Sequence, residues 1–294
     1  MPLTIHRTPT CFYRLGLACV SLVVACIAMA PGAQAQTPET VFTIGVLPNV
    51  SARVILNNYQ PMRAYFEREL KRKVEIATAA DFRAFSAATL RGDYQMVVTA
   101  ANVGRVAQID GKWEPLAIYE PLIPGLLVAG ANNDNTAVSQ LKGKSLALAN
   151  PQSLVALRGL QWLREQGQQE GRDFKIVLAG NDDSLGAMIR AGDAPMAMMS
   201  MGEFRQIGEE TRKGLKIVTE FAKVPGFLVM SNPRLSGPER QQAKTLILQF
   251  PKTDEGKQFF SLSGIANIRD VSTAELLPMD AFLVQTRAGL APPT

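Results

Sequence analysis

Polar side chains able to hold a small molecule are concentrated in six short segments, each following a predicted strand. In the first half of the chain these segments contain Pro48, Asn49, Ser51, Asp81, Phe82, Thr99 and Asn102. In the second half they contain Gln152, Ser153, Asn181, Ser200 and Glu203. Amides and hydroxyls are frequent among them, and these groups bind small polar or anionic ligands through neutral hydrogen bonds. The sequence therefore predicts a binding site at the ends of strands.

Some of these side chains have a second interpretation that needs no ligand. Ser51, Ser153 and Asp81 precede predicted helices, and Ser and Asp are preferred residues at helix N-termini. Tyr119 is a further ligand candidate near a predicted passage of the chain between lobes, where an aromatic ring also suits packing. Both interpretations remain open at this stage, and for Ser153 one helix end serves both roles.

Three carboxylates offer an alternative based on catalysis or metal binding. Asp182, Asp183 and Glu203 are acidic residues in two of the predicted segments. Adjacent aspartates point in different directions and lack the spacing of a calcium loop. We therefore expect no metal and no cofactor, and we keep carboxylate catalysis as a minor alternative.

Cysteine and histidine occur only near the N-terminus. The chain of 294 residues contains three cysteines and one histidine. They are His6, Cys11, Cys19 and Cys26. If the first 35 residues are removed, disulfides, Cys or His nucleophiles, Ser-His-Asp triads and zinc-finger sites are all excluded.

Residues 1–35 have the features of a cleaved secretory signal peptide. Arg7 and Arg14 precede an apolar run, and the small-residue site Ala33-Gln34-Ala35 follows it. We predict a soluble protein of the periplasm, with a lipid anchor at Cys26 as the minor alternative. The formal net charge of the whole chain is only +5 and its basic residues are scattered, so no nucleic-acid partner is indicated.

The remaining chain alternates strands with amphipathic helices, which predicts an α/β fold with mostly parallel sheets. The same series of elements occurs twice, and identities recur at a fixed offset: Gly92 with Gly192, Asp93 with Asp193, Met96 with Met196, and Arg105 with Arg205. We predict two similar Rossmann-like lobes, with residues 36–124 and 226–294 in the first and residues 125–225 in the second. The segments 121–130 and 221–230, each with a Pro-Gly pair, are predicted to connect them, with the glycines allowing hinge rotation.

Several short motifs together resemble a known family. Ile44-Gly45-Val46-Leu47-Pro48, Gly92-Asp93-Tyr94, Leu141-Lys142-Gly143-Lys144 and Val224-Pro225-Gly226 are similar to the periplasmic phosphate/phosphite/phosphonate-binding proteins of ABC importers. The resemblance implies the type II periplasmic-binding-protein fold, ligand capture between two lobes and delivery to an inner-membrane ABC permease, and we expect a monomer.

One stretch departs from the family pattern. Where phosphonate-binding members present a Ser/Thr-rich tripeptide, this chain has Ser153-Leu154-Val155-Ala156, and the histidine usual in the following loop is absent around Asn181. The resemblance therefore carries the fold without fixing the ligand. The predicted function is capture of a phosphonate- or phosphate-like oxyanion, or of a divergent small ligand, for import. The alternatives are a ligand-binding subunit for a membrane sensor kinase and an enzyme on the same fold.

Overall fold

The structure of the protein, a computed structural model, describes residues 41–134, 136–179 and 182–292. The predicted signal peptide, its alternative lipidation site Cys26 and the ligand candidate Asn181 lie outside this range. None of the helices in the described ranges is long and apolar enough to span a bilayer. The strands form two sheets, one with six strands and one with five.

The first sheet contains strands from both ends of the described chain. Three parallel strands form one half of it, and the remaining strands are antiparallel to their neighbours. Its strands are β1 (Phe42–Val46), β2 (Val74–Ala77), β3 (Met96–Thr99), β4 (Glu114–Glu120), β10 (Leu228–Ser231) and β11 (Asn267–Arg269). Their order across the sheet is β11-β4-β10-β3-β1-β2.

The second sheet is formed by the middle of the chain. Its strands are β5 (Ile123–Gly130), β6 (Lys144–Leu148), β7 (Phe174–Leu178), β8 (Met196–Ser200) and β9 (Leu215–Val224). Their order is β7-β6-β8-β5-β9, with β6 parallel to both β7 and β8 and with β5 antiparallel to both β8 and β9.

Helices cover both sheets. They are α1 (Ala52–Asn58), α2 (Gln60–Leu70), α3 (Phe82–Arg91), α4 (Ala101–Gly111), α5 (Leu154–Glu165), α6 (Asp182–Ala191), α7 (Met201–Gln206), α8 (Glu209–Lys213), α9 (Gly237–Gln249), α10 (Asp254–Ser263) and α11 (Leu283–Leu290). Three 3-10 helices add Val138–Leu141, Phe250–Lys252 and Thr273–Phe282 within the described ranges. We call residues 273–290, the last 3-10 helix together with α11, the C-terminal strap.

The two sheets share one strand order, which confirms the predicted α/β fold with two similar units. In both, three parallel strands are followed by one returning strand, β10 or β5, that is antiparallel to its neighbours on both sides. Most strands therefore share a direction, as predicted, although the hydrogen-bonded pairs are mixed. The returning strand is the one that enters each sheet from the other, and this explains its opposite direction.

The repeat at an offset of one hundred residues is also visible in the backbone. Helices α3 and α6 end before Gly92 and Gly192, whose φ angles are 84° and 83°. Glycine adopts this left-handed conformation without the steric cost that a side chain imposes. The repeated glycine therefore marks the same helix-to-strand turn in both units.

The chain passes between the sheets through two short links, one between β4 and β5 and the other between β9 and β10. The glycines predicted to allow hinge rotation, Gly125 and Gly226, have no positive φ, and their hinge role stays a prediction. A β-carbon on Gly226 would collide with the carbonyl oxygen of Tyr119, and one on Gly125 would lie 2.7 Å from the Phe221 ring. Glycine is needed at both positions because neighbouring groups pack against the backbone.

Hydrophobic side chains of both sheets belong to one cluster. One hydrophobic cluster contains Val97 and Met230 of the first sheet together with Leu146 and Met196 of the second. Methionines at 196, 198 and 199 are buried in β8, as the sequence predicts for a core strand. The described residues form one compact unit by their contacts. The lobe boundaries given above therefore stay a prediction.

Candidate functional site

The parallel strands of each sheet point their carboxyl ends at helix N-termini, where unpaired N–H groups and the helix dipole favour anions. Most of these starts are occupied by capping side chains. In the first sheet, Ser51 Oγ accepts a hydrogen bond from the Val54 amide at 3.4 Å, and the Asp81 carboxylate accepts one from Ala84 at 2.7 Å. The capping interpretation is thus correct for both, and the Asp81 carboxylate makes its helix start a poor anion site.

The second sheet shows the same pattern. Ser153 Oγ accepts a hydrogen bond from the Ala156 amide at 3.1 Å and so caps α5. At the start of α7, Ser200 and Glu203 form a reciprocal capping box, in which Glu203 Oε2 accepts from the Ser200 amide at 2.5 Å. Burial raises the pKa of Glu203 above its ordinary value, and the hydrogen bonds from Ser200 oppose this shift.

Helix α4 differs from these four because no side chain caps it. Its N-cap residue is Ala100, and Ala101, Asn102 and Val103 of its first turn are 1%, 1% and 3% exposed. The first N–H groups of a helix have no partner within the helix, and burying them without a cap is unfavourable. An anion at this position would satisfy them and would interact favourably with the helix dipole.

Two buried polar atoms beside this helix start also lack a partner. Thr99 Oγ1 at the end of β3 and Asn102 Oδ1 in the first turn of α4 accept and donate no hydrogen bond in the described part of the chain. Both residues are only 1% exposed. Buried polar groups are nearly always paired in folded proteins, so unpaired ones point to a missing ligand or water.

The amide of Asn102 connects the first sheet to the second. Its Nδ2 donates to the Gln152 carbonyl oxygen at 3.3 Å and to Thr286 Oγ1 at 3.1 Å. Gln152 lies next to Ser153 in the second unit, and Thr286 belongs to the C-terminal strap. Three distant parts of the chain therefore meet at the start of α4.

Two ion pairs hold the strap against α4. Arg105 donates to both oxygens of Asp280 at 2.6 and 3.1 Å, and Arg287 pairs with Asp110 at 2.6 Å. The Arg105 guanidinium lowers the pKa of Asp280, and the Asp110 carboxylate raises the pKa of Arg287. Because Arg105 and Asp110 lie on α4 itself, the strap keeps Thr286 beside Asn102.

The remaining predicted residues have other surroundings. Asn49 is exposed and Pro48 half-buried, at the end of β1. Phe82 is buried in the hydrophobic core. Tyr119 is also buried, with its ring 5.9 Å from that of Phe259, and burial raises its pKa well above the ordinary value. The position of Tyr119 fits the packing interpretation offered above.

A groove of about 350 Å³ lies beside the cluster, between α5 and the C-terminal strap. Its two cations are already paired, Arg158 with Glu165 at 3.2 Å and Lys223 with Glu220 at 3.6 Å. We therefore assign no anion to it. The described residues contain no group of three or more acidic, Cys or His side chains positioned to hold a metal ion.

Sequence reasoning predicted Thr99, Asn102 and Gln152 but missed the part of the cluster that the strap contributes. The strap residues Thr286 and Gly289 were not predicted, because they reach the site only through contacts between positions far apart in the chain. The uncapped start of α4 had a signal in the sequence: Ala100 stands where Ser or Asp stands before α1, α3, α5 and α7.

Residues 44–276 match the model of a family described as ABC transporter, phosphonate, periplasmic substrate-binding protein. The fold is similar to that of a binding protein component of an ABC phosphonate transporter from Pseudomonas aeruginosa, with a TM-score of 0.73 at 13% identity over 86% of this chain and 89% of that one.

Two further solved structures have the same fold. PhnD1 from Prochlorococcus marinus, in complex with methylphosphonate, aligns with a TM-score of 0.73 at 13% identity over 84% of this chain and 98% of that one. The periplasmic aliphatic sulphonate binding protein SsuA from Escherichia coli aligns with a TM-score of 0.60 at 13% identity over 87% and 95%. At these identities the likeness shows the fold alone.

Proposed function

Because the chain belongs to the phosphonate periplasmic substrate-binding proteins of ABC transporters, we propose that it captures a small anion at the uncapped start of α4. Proteins of this family bind small molecules and work with an ABC permease. For this chain, the binding residues, the ligand class and the partner are parts of the proposal.

The observation that carries the proposal is the pair of unpartnered buried atoms, Thr99 Oγ1 and Asn102 Oδ1, beside an uncapped helix start. Backbone N–H groups and a hydroxyl donor are the groups that bind oxyanions at helix N-termini. Gln152 and Ser153 approach the same place from the second unit. An anion held here would contact both units, as expected of a ligand that stabilises a closed form.

The ligand class that fits is a small tetrahedral oxyanion. Ala101 and Val103 of the same helix turn are buried, which favours a small head group over a large one. The similar structures named above include one complex with methylphosphonate and one protein that binds aliphatic sulphonates, and both ligand classes carry such a head group.

We further propose that the chain is exported through residues 1–35, acts in the periplasm, delivers its ligand to a permease and does not convert it chemically. The two predicted lobes, residues 36–124 with 226–294 and residues 125–225, would close around the anion. Co-purification from membranes tests the partner, because a sensor kinase in place of a permease would favour the signalling alternative.

Isothermal titration calorimetry of the protein purified from the periplasm tests the binding function. We expect methylphosphonate or phosphate to bind, to raise the melting temperature and to reduce the radius of gyration in solution scattering. Thr99→Val should weaken this binding. If phosphonates, phosphate, sulphonates and small carboxylates all fail to bind the wild-type protein, the proposed anion site is wrong.

A further inference from the structure

The orientation of the Asn102 side chain is fixed by its two neighbours. The Gln152 carbonyl oxygen, 3.3 Å away, is an acceptor only, so the Asn102 atom that faces it must be the NH₂ group. The second N–H of the same group points to Thr286 Oγ1 at 3.1 Å. Both donors of the Asn102 amide are therefore used.

The group that Asn102 leaves free is an acceptor. Its Oδ1 is buried and unpartnered, and the assignment above rules out rotating the amide to present a donor. A fully ionised oxyanion has only hydrogen-bond acceptors, and its lone pairs would repel those of Asn102 Oδ1. An anion that still carries a proton on one oxygen would instead donate a hydrogen bond to it.

We propose that Asn102 determines the specificity of this site and selects oxyanions that carry a hydrogen-bond donor, such as a singly protonated phosphonate or phosphate, over fully ionised sulphonates or sulphate. The inference rests on the proposed function, since it assumes that the anion binds at the start of α4. Sites built to pair with a ligand hydroxyl discriminate strongly against analogues that lack it, because their own polar group is then left unpaired.

Thr286 acts as a positioning residue for Asn102. It is 1% exposed, and by accepting an N–H of Asn102 it helps to keep the amide in one orientation. Thr286 lies beyond residues 44–276, the part of the chain that matches the family model. This element of selectivity therefore comes from the strap that this chain places against α4.

The wild-type protein provides the first test, with two ligands of similar shape. Methylphosphonate keeps one P–OH group as a monoanion, whereas methanesulphonate has none. By calorimetry we expect methylphosphonate to bind at least about tenfold more tightly at a pH below its second ionisation. Its affinity should fall as the pH rises through that ionisation, while any weak methanesulphonate binding stays constant.

Variants provide the second test. Thr286→Val removes the acceptor that holds Asn102, and we expect the ratio of the two affinities to fall several-fold. Asn102→Leu should bring the ratio close to one. Thr89→Val is the matched control, since the buried Thr89 hydroxyl donates to the Phe85 carbonyl at 2.9 Å within α3, and it should leave the ratio unchanged.

The three possible failures are distinguishable. Equal wild-type affinities for methylphosphonate and methanesulphonate would overturn the selectivity proposal and leave the anion site standing. Retention of the full ratio in a folded Thr286→Val protein would overturn the positioning role. Absence of binding by every anion would overturn the proposed function itself.

Discussion

The side-chain amide of Gln152 donates a 2.6 Å hydrogen bond to the backbone carbonyl of Gly289. Gln152 belongs to the loop before α5 of the second unit, and Gly289 belongs to the strap that ion pairs hold against α4. A β-carbon on Gly289 would lie 2.8 Å from Gln152 Cγ, so glycine permits this close approach. The backbone carbonyl of Gln152 also accepts a hydrogen bond from Asn102. Gln152 therefore links the two units through both its side chain and its backbone.

Replacing Gln152 should therefore shift the protein toward an open form. In Gln152→Ala the bond to Gly289 is lost, and a net hydrogen bond is worth about 0.5–1.5 kcal/mol. We expect a larger radius of gyration for the unliganded variant and a few-fold weaker ligand binding, because less of the protein is closed. Gln161→Ala, on the following helix α5, is the control. Unchanged scattering in Gln152→Ala would show that this bond does not hold the units together.

Thr99→Val should have opposite effects on stability and binding. The Thr99 hydroxyl is buried without a partner, which costs roughly 1–3 kcal/mol, so valine should raise the unfolding free energy of the unliganded protein. Binding should weaken by about 1–2 kcal/mol, roughly 5- to 30-fold, if the hydroxyl donates to the ligand. Chemical denaturation and calorimetry measure the two effects.

Thr89→Val is again the control for Thr99→Val. It removes a hydroxyl that is already paired, so it should lower stability slightly and leave affinity unchanged. A Thr99→Val protein that binds as tightly as the wild type would place the ligand elsewhere.

Ser153→Ala should reduce both stability and affinity. Its Oγ caps α5 through the Ala156 amide, and losing such a cap costs about 1 kcal/mol. If the hydroxyl proton is also donated to the ligand, binding weakens by a further 1–2 kcal/mol, approximately. Ser236→Ala removes the equivalent cap of α9, far from the site, and should affect melting temperature alone. Equal ligand affinities in the two variants would limit Ser153 to capping.

Glu203 should make stability decrease as the pH rises. Burial raises the pKa of Glu203 in the folded protein. Its contribution to the free energy of unfolding is therefore fully present below the ordinary pKa of about 4.3 and is lost as the pH rises through the raised pKa. The difference in melting temperature between the wild type and Glu203→Gln should fall over this range.

Glu239, in the equivalent capping box of α9, should show the opposite trend. Hydrogen bonds from Ser236 lower the pKa of Glu239. Its contribution to the free energy of unfolding is therefore present above the ordinary pKa and is lost as the pH falls through the lowered pKa. Parallel curves for Glu203→Gln and Glu239→Gln would contradict the burial of Glu203.

The fold was largely predictable because its signals are local. Buried strands, the helix caps at Ser51, Asp81 and Ser153, and the repeated turns at Gly92 and Gly192 all depend on residues a few positions apart. Hydrophobic periodicity and capping preference act over the same short distances. The close packing at Gly125 and Gly226 was not predictable, since it depends on Phe221 and Tyr119, which only the tertiary structure brings close.

By itself, the sequence determined the α/β class, the duplicated units and the exclusion of Cys and His chemistry from the chain after residue 35. These follow from composition and from patterns within single elements. Only the tertiary structure showed that Thr99 and Asn102 carry buried oxygen atoms without a partner. The meeting of Asn102, Gln152 and Thr286 depends on hydrogen-bond geometry across positions up to 184 residues apart. Sequence spacing carries no information about such contacts, because hydrogen bonds form between neighbours in space.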